Sequence, residues 1–142
     1  MSASLRTLGF IVLAAASTAA TAQSTANYPS KPIRLVVPYS PGASNDTLSR
    51  ATAEAMSPLL GQSIVVDNRP GAGGMIGAEN AARSAPDGYT ILNVQASFAT
   101  NAAIRAKMPY DVATDFAYIG MMARSPMVIV VHPSMPVTSV KD

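Results

Sequence analysis

Asn68-Arg69-Pro70-Gly71-Ala72-Gly73-Gly74-Met75-Ile76-Gly77 is the stretch whose reading decides the fold. An apolar run, Ile64-Val65-Val66, enters it, and a helix-like run, Ala78 to Ser84, leaves it. Four glycines in seven positions let the backbone take positive φ and approach a neighbour without a Cβ clash. Amides at the start of the following helix favour negative charge. The stretch therefore reads as a strand-loop-helix unit whose loop holds an anion, a carboxylate foremost.

Outward from this loop the same grammar repeats. Upstream, Tyr28-Pro29-Ser30-Lys31-Pro32 is held extended by its prolines. Ile33-Arg34-Leu35-Val36-Val37 lacks clean alternation and reads as a parallel strand buried on both faces. Pro38 to Asn45 is turn chemistry. Ser44 or Asn45 is placed to cap a helix, and Asp46 in its first turn suits the helix dipole. Leu48, Ala51, Ala55, Met56, Leu59 and Leu60 recur at helical spacing. Pro58 is expected to kink or tighten the last turn, and Gly61 to end it. Ile64 to Asp67 is a second buried strand, followed by a helix from about Met75 to Ser84.

Downstream, Pro86-Asp87-Gly88 is a turn and Tyr89 to Val94 a third strand. Gln95 to Phe98 is a polar connection before a helix from Ala99 to Lys107. Strand and helix alternate three times, the signature of an α/β fold with a parallel sheet and βα crossovers. Phe116 to Ala123 and Met127 to Val131 read as two more strands. Ser139 to Asp142 reads as a helix cap and first turn.

The N-terminus carries a different signal. Arg6 precedes the apolar run Leu8 to Ala16, and Ala20-Thr21-Ala22 fits a small-residue cleavage pattern. The run is shorter than the about 20 residues a membrane span needs. A secretory leader is expected at 1–22, cleaved after Ala22, with an exported mature chain. The domain reading is then an extended segment at 23–32, a ligand-binding lobe at 33–123 and a crossover strand at 124–142.

Composition removes several functions. With 10 basic and 8 acidic residues the 142-residue chain has a formal charge of +2, and no basic run points to nucleic acid. It has no cysteine, which excludes thiolate metal sites and cysteine nucleophiles. The glycine loop fails as a dinucleotide fingerprint: Ile76 stands where G-x-G-x-x-G needs glycine, and no acid follows at ribose-binding distance. No Gly-Lys pair makes a P-loop, and no H-E-x-x-H or G-x-S-x-G occurs. His132 is the single histidine and has no evident partner for base catalysis. Cofactor, metal and catalytic residues are all expected to be none. A plain tight turn without ligand remains the competing reading of the loop.

In a parallel sheet, ligands sit at the carboxyl ends of strands where βα loops converge. Three such loops lie on that edge: Tyr39 to Asp46, Asn68 to Gly77, and Gln95 to Asn101. The candidate binding residues are Tyr39, Ser40, Gly42, Ser44, Asn45, Asp46, Asn68, Gly71, Ala72, Gly73, Gly74, Ser97 and Asn101. Their backbone amides and neutral side chains suit a small polar anion. Arg69 either adds charge or faces the surface, and Asp46 either orients a ligand or serves its helix.

Several ordered motifs resemble one family. Tyr28-Pro-x-Lys-Pro-Ile-Arg-Leu-Val-Val-Pro-Tyr, Pro41-Gly42 with Asp46, and Val66-Asp-Asn-Arg-Pro-Gly-Ala-Gly-Gly-x-Ile-Gly resemble Bug-family solute receptors. Pro86-Asp-Gly-Tyr-Thr-Ile-Leu, Met108-Pro-Tyr-Asp and Asp115-Phe continue the match, which covers Tyr28 to Asp142. The resemblance implies a periplasmic receptor of a tripartite tricarboxylate transporter. It implies the first lobe of a type II periplasmic-binding-protein fold, a small carboxylate ligand and integral-membrane transporter subunits as partners. It implies a full-length protein that is a monomer, with the first two βα loops gripping the ligand carboxylate. Two departures follow: Ala43 stands where the family often has a second glycine, and family members are about twice as long. On that comparison the chain reads as an N-terminal fragment or a truncated product, its second lobe largely absent. An exported α/β enzyme fragment and a non-binding remnant are the alternatives.

Overall fold

The first sheet strand β1 (Ile33–Val37) lies between the other two, and its burial explains the apolar run that encodes it. The computed structural model describes residues 28–126, 128–137, 139 and 141. The leader, its cleavage site and the stretch 23–27 lie outside the described residues. From β1 the chain continues through α1 (Ser44–Leu60), β2 (Ile64–Asn68), a short 3-10 turn at Ala72–Gly74, α2 (Met75–Ala82), β3 (Thr90–Leu92) and α3 (Ser97–Ile104). The sheet order is β2-β1-β3. Both pairings are parallel, with Leu35 opposite Val66 on one side and Ile91 on the other.

Only β1 is covered on both faces. Leu35 and Val36 point to opposite sides of the sheet, and both are buried. The expectation that β2 is also fully buried is corrected: it is a half-buried edge strand, with Val65 exposed. β3 is shorter than the stretch 89–94 expected for it, although Asn93 N–H still donates to Val36 O at 3.0 Å.

The helix α1 departs from its apolar pattern. Ala51, Ala55, Met56 and Leu59 are exposed, and the buried positions are Asn45, Asp46, Ser49 and Ala53. On this polar face Asp46 and Ser49 are buried with hydrogen bonds to the neighbouring loops, whereas Asn45 Nδ2 has no partner. Ser49 Oγ, fully buried, accepts from Asn93 Nδ2 at 2.7 Å and ties α1 to the end of β3. Neither Ser44 nor Asn45 caps α1; the N-cap is Ala43, so both side chains already stand inside the helix. Asp46 instead reaches back to accept from Gly42 N–H at 2.9 Å. Pro58 lies inside the helix, which runs on to Leu60 and ends at Gly61 in the left-handed conformation. α3 begins at Ser97, earlier than expected, and stops at Ile104.

The far end of the sheet is fastened by residues 60 positions apart. Tyr28 hydroxyl donates to Gly88 O at 2.7 Å, and its ring lies 5.0 Å from that of Tyr89. Ser30 N–H donates to the Tyr89 hydroxyl at 2.8 Å, and Lys31 Nζ sits 4.3 Å over the Tyr89 ring. These contacts join the Tyr-Pro-x-Lys and Pro-Asp-Gly-Tyr motifs.

Tyr110 closes the first compact unit, and residues 111–142 form a second. In the second unit the stretches 116–123 and 128–131 are not strands, contrary to expectation. Apolar β-formers make a strand only when another strand takes their amides and carbonyls. No pairing partner exists among the described residues, and Ile119, Ile129 and Val130 are exposed. Within this unit His132 is exposed, its Nδ1 2.7 Å from Ser134 Oγ. No helix among the described residues is long and apolar enough to cross a membrane.

Candidate functional site: three loops at the carboxyl edge of the sheet

The three parallel strands end on one edge, and the loops that leave them are joined by side-chain hydrogen bonds. Asn68, the last residue of β2, is the junction of the first two. Its Nδ2 donates to Tyr39 O at 3.1 Å and to Asp46 Oδ1 at 2.9 Å, while its Oδ1 accepts from Arg50 Nη2 at 3.0 Å. Arg50 Nε also donates to Asp46 Oδ2 at 3.0 Å. Arg50, ahead of the Gly42 N–H and the Asn68 amide, holds the Asp46 carboxyl down at about 2. Asp46 is therefore ionised and fully engaged by protein donors. Arg50 escaped the sequence reading; its position one helical turn after Asp46 was the available signal.

The third loop joins through α3. Ser97 Oγ lies 2.8 Å from the Tyr39 hydroxyl, which also accepts from Gln95 N–H at 3.2 Å. Asn101 Nδ2 donates to Gly73 O at 3.1 Å. Pro38, Tyr39, Gly73, Gly74, Phe98, Asn101 and Tyr110 pack around a crevice too tight for a water molecule. Phe98 and Tyr110 stack at 5.6 Å, and burial pushes the Tyr110 phenol up from its usual range.

The glycine loop has an unusual backbone. Ala72, Gly73 and Gly74 have φ of 49°, 66° and 95°, three successive residues in the left-handed region. Gly77 is required for a different reason. A Cβ there would stand 2.6 Å from Pro38 Cβ and 2.8 Å from Arg69 O, so α2 rests directly on the start of the first loop. Amides at the beginning of such a turn have no acceptor within it, and Gly71, Ala72 and Gly73 are exposed.

The thirteen candidates divide by placement. Tyr39, Asp46, Asn68, Ser97 and Asn101 bond to other loops. Gly42 N–H is taken by Asp46, and Ser40 O by Ala43 N–H. Ser44 is exposed, Asn45 is buried with its Nδ2 lacking a partner, and Gly74 is buried with its N–H on Gly71 O. Gly71, Ala72 and Gly73 present backbone to solvent. Arg69 turns back onto Asp67, its Nε 3.0 Å from Oδ2, and Asp67 also takes Arg34 Nη1 at 3.3 Å. No cluster of metal-ligating side chains occurs among the described residues.

A parallel βα sheet with its strand-end loops gathered on one edge is a partial α/β lobe, and in open α/β sheets ligands sit at that edge. Comparison with known proteins agrees. The family profile described as "TctC: Tripartite tricarboxylate transporter family receptor" matches residues 48–142. Protein BugT of Bordetella pertussis is 40% identical over 114 residues, covering 79% of this chain and 35% of its own. A protein of Agrobacterium vitis is 41% identical over 109 residues, covering 77% of this chain and 32% of its own. A solved structure described as a periplasmic transporter is 47% identical with a TM-score of 0.57, covering 60% of this chain and 29% of that one. An R. palustris protein solved with adipate is 34% identical with a TM-score of 0.55, covering 62% and 30%. The chain belongs to the TctC family of tripartite tricarboxylate transporter receptors, the Bug-type solute-binding proteins. It spans about a third of the length of the curated relatives it matches.

Proposed function

We propose that this chain supplies one jaw of a periplasmic receptor that captures a small carboxylate for a tripartite transporter. The observation that carries the reading is the gathering of three βα loops on one sheet edge by Asn68, Tyr39 and Asn101. Within that gathering the positive-φ backbone of Gly71, Ala72 and Gly73 is exposed. Backbone amides bind a carboxylate through charge-assisted hydrogen bonds without a buried cation. No bond is made or broken; capture and release deliver the solute to integral-membrane subunits. The adipate in an R. palustris relative supports a dicarboxylate as the first probe. The leader pattern read at 1–22 supports export to the periplasm.

A nuclear magnetic resonance titration of the 142-residue protein with adipate, citrate and benzoate tests the reading. Expected are saturable shifts at the amides of residues 40–46 and 71–77, with affinity of about millimolar or weaker for one jaw alone. Silence at those amides with every acid, together with turnover of an ester or amide, would replace the receptor by an exported enzyme.

A further inference from the structure

We propose that Ser97 and Asn101 are positioning residues that latch the other two loops to α3, and that Asn101 fixes the peptide plane between Gly73 and Gly74. The proposal rests on the carboxylate reading only for its effect on affinity.

The two side chains stand one turn apart on one face of α3. Ser97 reaches the first loop through the Tyr39 hydroxyl at 2.8 Å, and Asn101 reaches the second through Gly73 O at 3.1 Å. The second contact has geometric consequences. In a trans peptide the carbonyl of Gly73 and the N–H of Gly74 point in opposite directions. The carbonyl is held by Asn101, and the N–H donates to Gly71 O at 2.9 Å. The plane is thus clamped at both ends. It sits within the left-handed run of Ala72, Gly73 and Gly74, where Ala72 is a non-glycine residue at φ 49°. A non-glycine residue in this conformation persists only when its surroundings hold it, and the neighbouring amides take their direction from the run. Neither side chain needs to touch the ligand: Ser97 and Asn101 act through the loops.

The test uses the 15N-labelled 142-residue protein, with circular dichroism showing that each variant is folded. Asn101→Ala is expected to move the Gly73 and Gly74 amide resonances. It should also speed hydrogen exchange at Gly74 about fivefold, the scale of one neutral hydrogen bond. Ser97→Ala should move Tyr39 and Gln95 and leave Gly73 in place. Asn101→Asp supplies a pH profile that a generic packing loss would not. At pH 7 its carboxylate cannot donate to Gly73 O, whereas near pH 3 the protonated acid can. The Gly73 and Gly74 resonances should therefore return toward the wild-type positions recorded at the same pH. Folded Asn101→Ala protein with unmoved Gly73 and Gly74 signals, or an Asn101→Asp profile parallel to wild type, would overturn the latch. Titration with adipate separates the two readings. If both hold, Asn101→Ala weakens adipate binding about fivefold. If wild type ignores adipate, citrate and benzoate while Asn101→Ala still moves Gly73, the latch stands and the carboxylate reading falls.

Discussion

Asn68 Nδ2 donates to Asp46 Oδ1 at 2.9 Å, joining the end of β2 to the first turn of α1. With the second bond to Tyr39 O it sets the distance between the first two loops. Replacing Asn68 by Ala removes donors from a half-buried junction and leaves the Tyr39 carbonyl unpaired. A loss of about 1–2 kcal/mol is expected, read as a lower urea midpoint with an unchanged slope. Asn68→Asp should be worse than Ala at pH 7, because it sets a second carboxylate beside Asp46.

Asp46 gives the fold an acid-sensitive contribution. Its folded-state value of about 2 lies below the ordinary 3.8, chiefly through Arg50. A depressed carboxyl contributes stability above its unfolded value and loses it as the pH falls through the folded one. Urea midpoints should therefore drop between about pH 4 and pH 2, and Asp46→Asn should flatten that part of the profile. An Asp46→Asn profile as steep as wild type would assign the acid limb to other groups, Asp87 among them, whose value is lowered by the Tyr89 N–H.

Two glycines should respond unequally to alanine. At Gly77 the new methyl meets Pro38 and the Arg69 carbonyl within 2.9 Å, and backbone cannot yield as a side chain can. A loss of about 3 kcal/mol or failure to fold is expected. At Gly42 the space is open and only the positive φ of 81° resists. The expected loss there is about 1 kcal/mol. Thermal melts of the two variants make the comparison.

The Ser49–Asn93 pair is buried and isolated from solvent. Ser49→Ala strands the Asn93 amide at a cost of about 1–3 kcal/mol. The double variant Ser49→Ala with Asn93→Leu should recover part of it in chemical denaturation.

Exposed β-formers in the second unit should govern solubility rather than stability. Ile119 and Val130 are 84% and 85% exposed. Replacing both by Lys should change the unfolding free energy by no more than about 0.5 kcal/mol. It should lower the binding of a hydrophobic dye and slow aggregation measured by light scattering.

Local signals made most of this lobe legible. Ile33 to Val37 is mostly apolar without alternation because it is the strand covered on both faces, and Gly61 closes α1 because only glycine takes that left-handed cap readily. The glycine cluster announced a loop with abnormal dihedrals and a close approach. Patterning misled where burial is decided elsewhere. Met56 and Leu59 look like a core face but lie outside, and Ser49 and Asn45 look like surface but are buried. The apolar runs after Asp115 carry strand propensity, yet propensity supplies no hydrogen-bond partner.

The sequence by itself determined the α/β class, the three βα units, the family and the stretch on which ligand binding was expected. Each of these is written in local spacing, punctuation and ordered motifs. Only the tertiary structure decided that β1 is central, that Arg50 rather than Arg69 serves the loop junction, and that α3 holds both other loops. Those outcomes depend on contacts between residues 18 to 58 positions apart. Such contacts exist only when the chain has closed on itself, and no local pattern encodes which donor meets which acceptor.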